Sequence, residues 1–238
     1  MNIQKGEGIK VSVIIPTYHE GRYIETTLSN LARINHPLEI IVVDGGSRDG
    51  TVEIARRFTD KVYQIDERGI SRAKNYGAKK ANGDILVFLD ANVIPPRNFM
   101  EKIHDVLSDS RVVGAACNFM PLHPRSSELI FFIFYNWLLR LCSKFKPHAS
   151  GQFIAIRRKA FMAINGFKED LPCVEDHDLA FRASKLGRFV FIQDLTVYES
   201  PRRIRKVGLL KVVSTWFIDY IFLILRGKPL SRVWPAVR

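Results

Sequence analysis

Three apolar, β-branched runs that stop abruptly on polar residues constrain this chain more than any other feature: VSVIIPT at Val11–Thr17, IIVVDGG at Ile40–Gly46 and ILVFLDAN at Ile85–Asn92. A strand with one wet face alternates apolar and polar residues. A strand covered on both faces is apolar throughout, as in a parallel sheet between helical layers. The intervening segments have helical spacing, with Ile24, Leu28 and Leu31 on one face of a helix starting near Gly21. A second helix begins after Ser47 or Asp49 and carries Val52, Ile54, Ala55 and Phe58, and a third covers Ser71–Lys80. Strands at Val11–Ile15, Leu38–Val43, Lys61–Ile65 and Asp84–Leu89 alternate with these helices, which predicts an α/β fold with a mainly parallel sheet and right-handed crossovers. Further on, Val112–Met120 reads as an antiparallel strand and Phe153–Ile156 as another. Arg158–Ile164 reads as a helix closed by Gly166, and Asp176–Lys185 as a short helix. The 238 residues suffice for one such domain with a modest appendage.

Ligands of open α/β sheets collect at the carboxyl ends of the strands, and the residues there are Thr17, Glu20, Asp44, Asp90 and Asn92. Asp44 precedes Gly45 and Gly46, so its carboxylate is expected to meet the N–H donors of a nucleotide base, with Asp49 capping the helix that follows. Asp90 and Asn92 flank Ala91 in an extended segment, where residues two apart share a face, so both can offer oxygen to one hard cation. Magnesium or manganese held there would neutralise a leaving diphosphate. A strand-end turn, in which Asp and Asn are also favoured, is the plainer alternative. Arg72 and Lys74 lie on the preceding helix, two positions apart and so on different sides, and either is a candidate for a phosphate. The densest acidic cluster is Glu175, Asp176 and Asp178 around His177. A crowded, partly buried carboxylate has its pKa raised toward that of a useful general base, and Asp176 is the candidate. Asp178 is expected to face solvent and His177 to pair with a neighbouring acid. Arg202 and Arg203, after Pro201, are expected in a basic loop closing over a diphosphate or an acceptor, with mere surface decoration as the alternative.

A formal charge of +12 favours an anionic partner. Nucleic acid is not expected, because no zinc-ligand spacing, ribonucleoprotein motif or helix-turn-helix pattern is present. Basic residues are dense from Arg140 to Lys146 and from Arg202 to Lys211, each beside an apolar run, Leu129–Cys142 and Leu209–Leu225. The first run is too short to span a bilayer and the second carries Lys211 and Asp219. Both are expected as helices lying in a membrane interface, with Trp137, Trp216 and Trp234 as anchors. Completion of the core or a dimer interface is the alternative. Cys117, Cys142 and Cys173 show no metal or disulfide pattern and suit a reducing compartment. The opening residues MNIQKGEGIK lack the apolar stretch of a signal peptide, so the catalytic part is expected on the cytoplasmic face of the membrane.

Taken together, VSVIIPTYHE, VVDGGSRDGT, SRAKNYGAKKANGDILVFLDAN, GQFIAIRRKAF followed by GF, and VEDHDLAFR closely resemble the inverting family 2 glycosyltransferases with the GT-A fold, over about Lys10 to Ser200. The resemblance implies transfer of a sugar from a nucleoside diphosphate donor to an acceptor hydroxyl without a covalent intermediate. Pro16, Thr17, Glu20 and Asp44 would line the nucleotide pocket, joined by Arg72, Lys74 and Asp90. Asp90 and Asn92 would hold the metal and diphosphate, and Asp176 would be the base, with Glu175 orienting it or the acceptor. The family commonly has Asp where Asn92 stands, and many members have a metal-binding His near Glu199, which could take its place. The aromatic insert, about 125–147, and the C-terminal segment resemble those of members acting on lipid-linked acceptors at membranes. The expected division is a GT-A domain over 1–204 and an amphipathic, membrane-associating tail over 205–238. The other readings are a nucleotidyltransferase, although PTYHEGRY lacks the Gly-rich basic loop it needs, and a catalytically idle membrane scaffold.

Overall fold

A computed structural model describes residues 9–232; Trp234 lies outside the described residues. The first half alternates β1 (Val11–Thr17), α1 (Ile24–Ala32), β2 (Leu38–Asp44), α2 (Thr51–Ala55), β3 (Val62–Gln64), α3 (Ile70–Lys80) and β4 (Ile85–Leu89). After it come β5 (Val93–Ile94), α4 (Phe99–Leu107), β6 (Val112–Pro121), α5 (Ser126–Cys142), β7 (Phe153–Arg157), α6 (Arg158–Ala163), α7 (Glu175–Ala183), β8 (Arg188–Glu199), α8 (Arg202–Val207) and α9 (Leu209–Arg226). The eight strands among the described residues form one sheet in the order β3-β2-β1-β4-β7-β6-β8-β5.

The apolar runs of β1, β2 and β4 are buried on both faces, as their composition requires. Val11, Val13 and Ile15 enter the core layer shared with α1 and α4, while Ile14 faces the other layer with Ile41, Val43 and residues of α3, α6 and α7. The result is three layers, helix–sheet–helix. Close approach of α3 to the sheet depends on Gly77, where an added Cβ would lie 2.5 Å from Ile14 Cγ2.

Two strand expectations change. β6 is antiparallel to β7 alone: it pairs in parallel with β8, and since β7 is itself antiparallel to β4, β6 runs in the same sense as β1. The reversed strands are β7 and the short β5. β8, the longest strand, was not expected over its length. Its pairing with β6 jumps from Cys117↔Ile192 to Asn118↔Thr196, and the exposed Gln193 and Asp194 in that bulge break the alternation that would betray a strand. α2 is shorter than expected and ends before Phe58.

After β3 the chain returns across β1 to form β4 on its far side, so the direction of winding reverses between β1 and β4. The carboxyl ends of β1, β2, β4, β6 and β8 share one edge of the sheet, and the site is built there.

Candidate active site

Over that edge lies a cavity of about 990 Å³, walled by Pro16, Thr17 and Glu20 after β1, by Asp90 and Asn92 after β4, by Glu175 and Asp176 opening α7, and by Glu199, Arg202 and Arg203 at the β8–α8 junction. Four sequence-distant segments thus meet, and three hydrogen bonds anchor the segment after β4 to its surroundings. The Asp90 N–H donates to the Gln152 carbonyl (3.4 Å), Ser200 N–H to the Asn92 carbonyl (3.2 Å), and Thr27 Oγ1 to the Ala91 carbonyl (2.9 Å).

Asp44 is not on the cavity wall. It is fully buried, and both its oxygens are occupied: Oδ1 accepts from the N–H groups of Gly46 (3.0 Å) and Ser47 (2.7 Å), and Oδ2 from Thr17 Oγ1 (2.9 Å) and Ser47 Oγ (2.5 Å). It shapes the turn, in which Gly46 has φ +90°, and leaves Gly45 lining the cavity in its place. Asp49 is not itself the N-cap; that position is Gly50. Its carboxylate accepts from the Thr51 N–H (3.3 Å) and ties the loop to the Gly21 N–H (3.0 Å).

The choice between Arg72 and Lys74 is resolved against both as exposed phosphate ligands. Arg72 points outward to Glu67 and Glu169. Lys74 is completely buried behind the wall, its ammonium 3.1 Å from Glu175 Oε1 and 5.0 Å from the centre of the Phe167 ring. Burial opposes the ammonium, but Glu175, Asp90 and Asp176 together prevail and hold Lys74 above the ordinary lysine range. Arg68, stacked 4.5 Å over Tyr18, is the cation lining that side of the cavity. Its exposed loop position gave no periodic signal. Asp178 is also displaced from its expected place: it is buried, with Lys168 at 2.8 Å and Arg182 at 2.7 Å.

Three carboxyls of the cluster titrate near neutrality. Burial raises Asp176 to about 7, with Glu175 adding to the rise and Lys74 opposing it. Burial likewise raises Glu199 to about 7 against the hydrogen bond from Gln152 Nε2 (3.1 Å). Burial raises Asp90 to about 6, while Lys74 counteracts and Glu175, Glu20 and Asp176 reinforce the shift. Arg202 makes a bidentate pair with Glu20, at 2.6 and 2.5 Å, and stacks 4.6 Å over Tyr23.

Asp90 Oδ1 is buried with no hydrogen-bond partner. Such an atom is costly to leave dry, and a hard cation is the ligand an orphaned carboxylate oxygen suits. Asn92 and Glu199 stand on the same cavity wall. Among the described residues no group of three or more His, Cys, Asp or Glu side chains is placed to hold a metal by itself.

Val174, immediately before the acidic pair, adopts φ +56° and ψ +19°, a left-handed conformation that penalises a β-branched residue by about 1–2 kcal/mol. Backbone strain of this kind persists where the surroundings over-determine it. Val174→Gly is expected to raise Tm by about 2–4 °C in a calorimetric scan. An unchanged or lower Tm would show that the Val174 side-chain contacts outweigh the relief.

The family model for glycosyl transferase family 2 matches residues 12–164. The chain is 35% identical over 111 residues to glycosyltransferase AglE of Haloferax volcanii, covering 43% of this chain and 36% of that protein. It is 28% identical over 205 residues to the succinoglycan biosynthesis protein ExoA of Rhizobium meliloti, covering 77% of this chain and 61% of that one. The chain thus spans less than two thirds of the length of these relatives. Among solved structures, the mannosyltransferase PcManGT from Pyrobaculum calidifontis in complex with GDP-Man and Mn2+ superimposes with a TM-score of 0.69 at 27% identity, over 88% of this chain and 65% of that chain.

Proposed function

This chain belongs to glycosyl transferase family 2 and has the GT-A fold, and from that premise we propose that it is an inverting glycosyltransferase, moving a sugar from a nucleoside diphosphate donor to an acceptor hydroxyl at a membrane surface. The observation that carries this reading is the pairing, on one cavity, of Asp90 with its unpartnered oxygen and Asp176 with its carboxyl near neutrality. The GDP-Man and Mn2+ of the PcManGT structure support the donor class and the cation.

We assign the nucleoside to the part of the cavity lined by Thr17, Tyr18, Gly45 and Arg68, and the diphosphate to the part lined by Asp90 and Asn92. Asp90 and Asn92, with Glu199 beside them, would hold a divalent cation, which when bound supplies Lewis-acid neutralisation of the leaving diphosphate. Asp176 accepts the proton of the acceptor hydroxyl. The acceptor oxygen then bonds to the anomeric carbon as the bond from that carbon to the diphosphate oxygen breaks, and a single displacement inverts the centre. Glu175 is pinned by Lys74 and sets the position of the α7 N-terminus. Arg202 and Arg203 bring positive charge to the same cavity, where charge develops on the leaving group.

The membrane part rests on α5 and α9. No helix among the described residues is long and apolar enough to cross a membrane. Both helices nevertheless turn large apolar residues to the surface, among them Ile133, Trp137, Leu141, Leu210 and Leu225, and basic residues flank them. We place the protein peripherally, on the cytoplasmic face, in keeping with its three free thiols. We assign catalysis to the portion up to residue 204, which includes the apolar insert with α5, and assign the remainder to membrane association alongside α5. Within that remainder, buried Val212, Asp219 and Leu223 fix α9 to the catalytic body.

Calorimetric titration with UDP and with GDP, each with manganese, magnesium or chelator, tests the proposal. One nucleotide is expected to bind only with metal, and Asp90→Asn to lose the metal dependence. Failure of both nucleotides to bind folded protein would overturn the reading.

A further inference from the structure

An acid in the middle of an apolar stripe is costly unless partners are built for it. Asp219 is such a residue: Val212, Asp219 and Leu223 follow one another at helical spacing along the buried stripe of α9, and Asp219 is 1% exposed. Both of its oxygens are taken. Oδ2 accepts from the Cys173 thiol (3.4 Å), and Oδ1 from the Ser231 N–H (2.8 Å), which the chain brings back along the helix after the left-handed Gly227 (φ +71°) ends it. Burial, with Asp219 adding to it, pushes the Cys173 thiol up, so Cys173 stays a donor.

Tyr220, the next residue, reaches the other side of the acidic pair. Its ring packs 4.9 Å from that of His177 and 6.3 Å from that of Phe181, one turn further along α7, and its hydroxyl lies 2.7 Å from His148 Nε2. His148 Nδ1 lies 2.7 Å from the Lys146 carbonyl. Because a carbonyl only accepts, the proton is on Nδ1 and Tyr220 donates to Nε2. Burial keeps both groups neutral at pH 7, lowering His148 to about 4 and raising Tyr220 to about 12. The three residues that α9 grips bracket Asp176. Cys173 precedes the left-handed Val174, His177 follows Asp176 directly, and His148 belongs to the loop in which Gly151 stands against the base, where an added Cβ would lie 3.7 Å from Asp176 Oδ2.

Resting on the reading of Asp176 as the base, we propose that Asp219 and Tyr220 are positioning residues of the transfer reaction, which from α9 hold Cys173, His177 and His148 around the base and so aim the Asp176 carboxylate into the cavity. The strained Val174 fits this role. Its conformation persists only between fixed neighbours, and the bond from Cys173 to Asp219 fixes the residue before it. α9 is then part of the catalytic apparatus as well as of the apolar surface, and the portion up to residue 204 needs it to present a correctly held base.

Carboxyl 13C NMR of Asp176 in the ligand-free full chain tests this, with hydrogen exchange of the 174–177 amides and a urea titration on the same samples. Cys173→Ala removes the donor, and Asp219→Asn turns an amide N–H toward one of two donors. Both are expected to move the Asp176 midpoint down from about 7 as the segment loosens toward water. Exchange at 174–177 should quicken by about tenfold or more relative to the sheet. Cys173→Ser keeps a donor and is expected to stay close to the native midpoint and exchange. An unmoved midpoint and unmoved local exchange in C173A and D219N, whatever the loss in urea, would overturn the proposal, because a bond that merely holds the helix on behaves that way. Equal changes in C173S and C173A would overturn it too, since the volume of the thiol rather than its proton would then matter; this comparison decides the question if D219N does not fold. Titration with UDP and GDP in manganese separates the two readings. Metal-dependent binding with Asp176 unmoved sinks the positioning role and leaves the donor site standing, whereas a moved Asp176 in protein that binds neither nucleotide overturns the transferase reading and with it the reaction that the positioning serves.

Discussion

Replacing Asp176 by Asn is expected to lower turnover by about 10²–10⁴-fold, the range lost with a general base, while nucleotide binding stays close to that of the native protein. The amide fills the same space, but it cannot accept the hydroxyl proton. The native enzyme should show an acid limb in its pH–rate profile near pH 7, because Asp176 must be ionised to act and burial holds its carboxyl at about 7. Normal turnover by D176N, or an acid limb at the ordinary carboxylate value, would remove Asp176 from the role.

The same shift has a consequence for stability with the opposite sign. A carboxyl whose pKa is raised on folding binds more protons in the folded state between its unfolded and folded values, so stability falls as pH rises through that window. For Asp176 the window runs from 3.8 to about 7, for Asp90 from 3.8 to about 6, and for Glu199 from 4.5 to about 7. The ligand-free protein should therefore lose stability between about pH 4 and 7, and D176N should lose less over the same range. A residue that lowers stability where it raises activity is what a preorganised base looks like.

The sheet was legible because both-face burial leaves an unambiguous mark: β1, β2 and β4 are apolar without alternation, and their ends locate the site. Asp90, Asn92, Glu175 and Asp176 were legible for the same reason, being polar residues at the points where apolar pattern stops. The orientation of side chains was not. VVDGGS permits the local turn in which Asp44 accepts from Gly46 and Ser47 but does not compel it, and the remaining partner, the Thr17 hydroxyl, comes from another strand 27 residues away. Asp178 looked like a solvent-facing acid because Lys168, one of its partners, lies outside its helix. β8 was hidden by its bulge. The apolar runs of α5 and α9 announced helices with unpaired faces. That two of those faces, rather than the outermost ones, line the same cavity as the acidic cluster depends on how the helices dock, which periodicity does not encode.

Lys74 shows most clearly what docking adds, since its sequence position suggested a phosphate ligand and its place in the fold makes it the counter-charge of the acidic cluster. An ammonium with no exposure, 3.1 Å from Glu175, leaves an uncompensated buried charge when removed, so Lys74→Met is expected to destabilise the protein by about 3–5 kcal/mol. Protonation of the carboxylates can relieve part of that loss, so the deficit in a urea titration should be smaller at pH 5 than at pH 8. Lys74 also opposes the rise of the Asp176 and Asp90 pKa values. Its loss must move the acid limb of the rate profile above 7, with turnover at pH 7 falling and part of it returning as the pH is raised. A phosphate ligand would behave otherwise: its removal would weaken nucleotide binding and leave the limb in place. If K74M folds with native stability and an unmoved acid limb but binds nucleotide poorly, the lysine reaches the diphosphate after all, and the cluster must be neutralised by Arg202 and Arg203 instead.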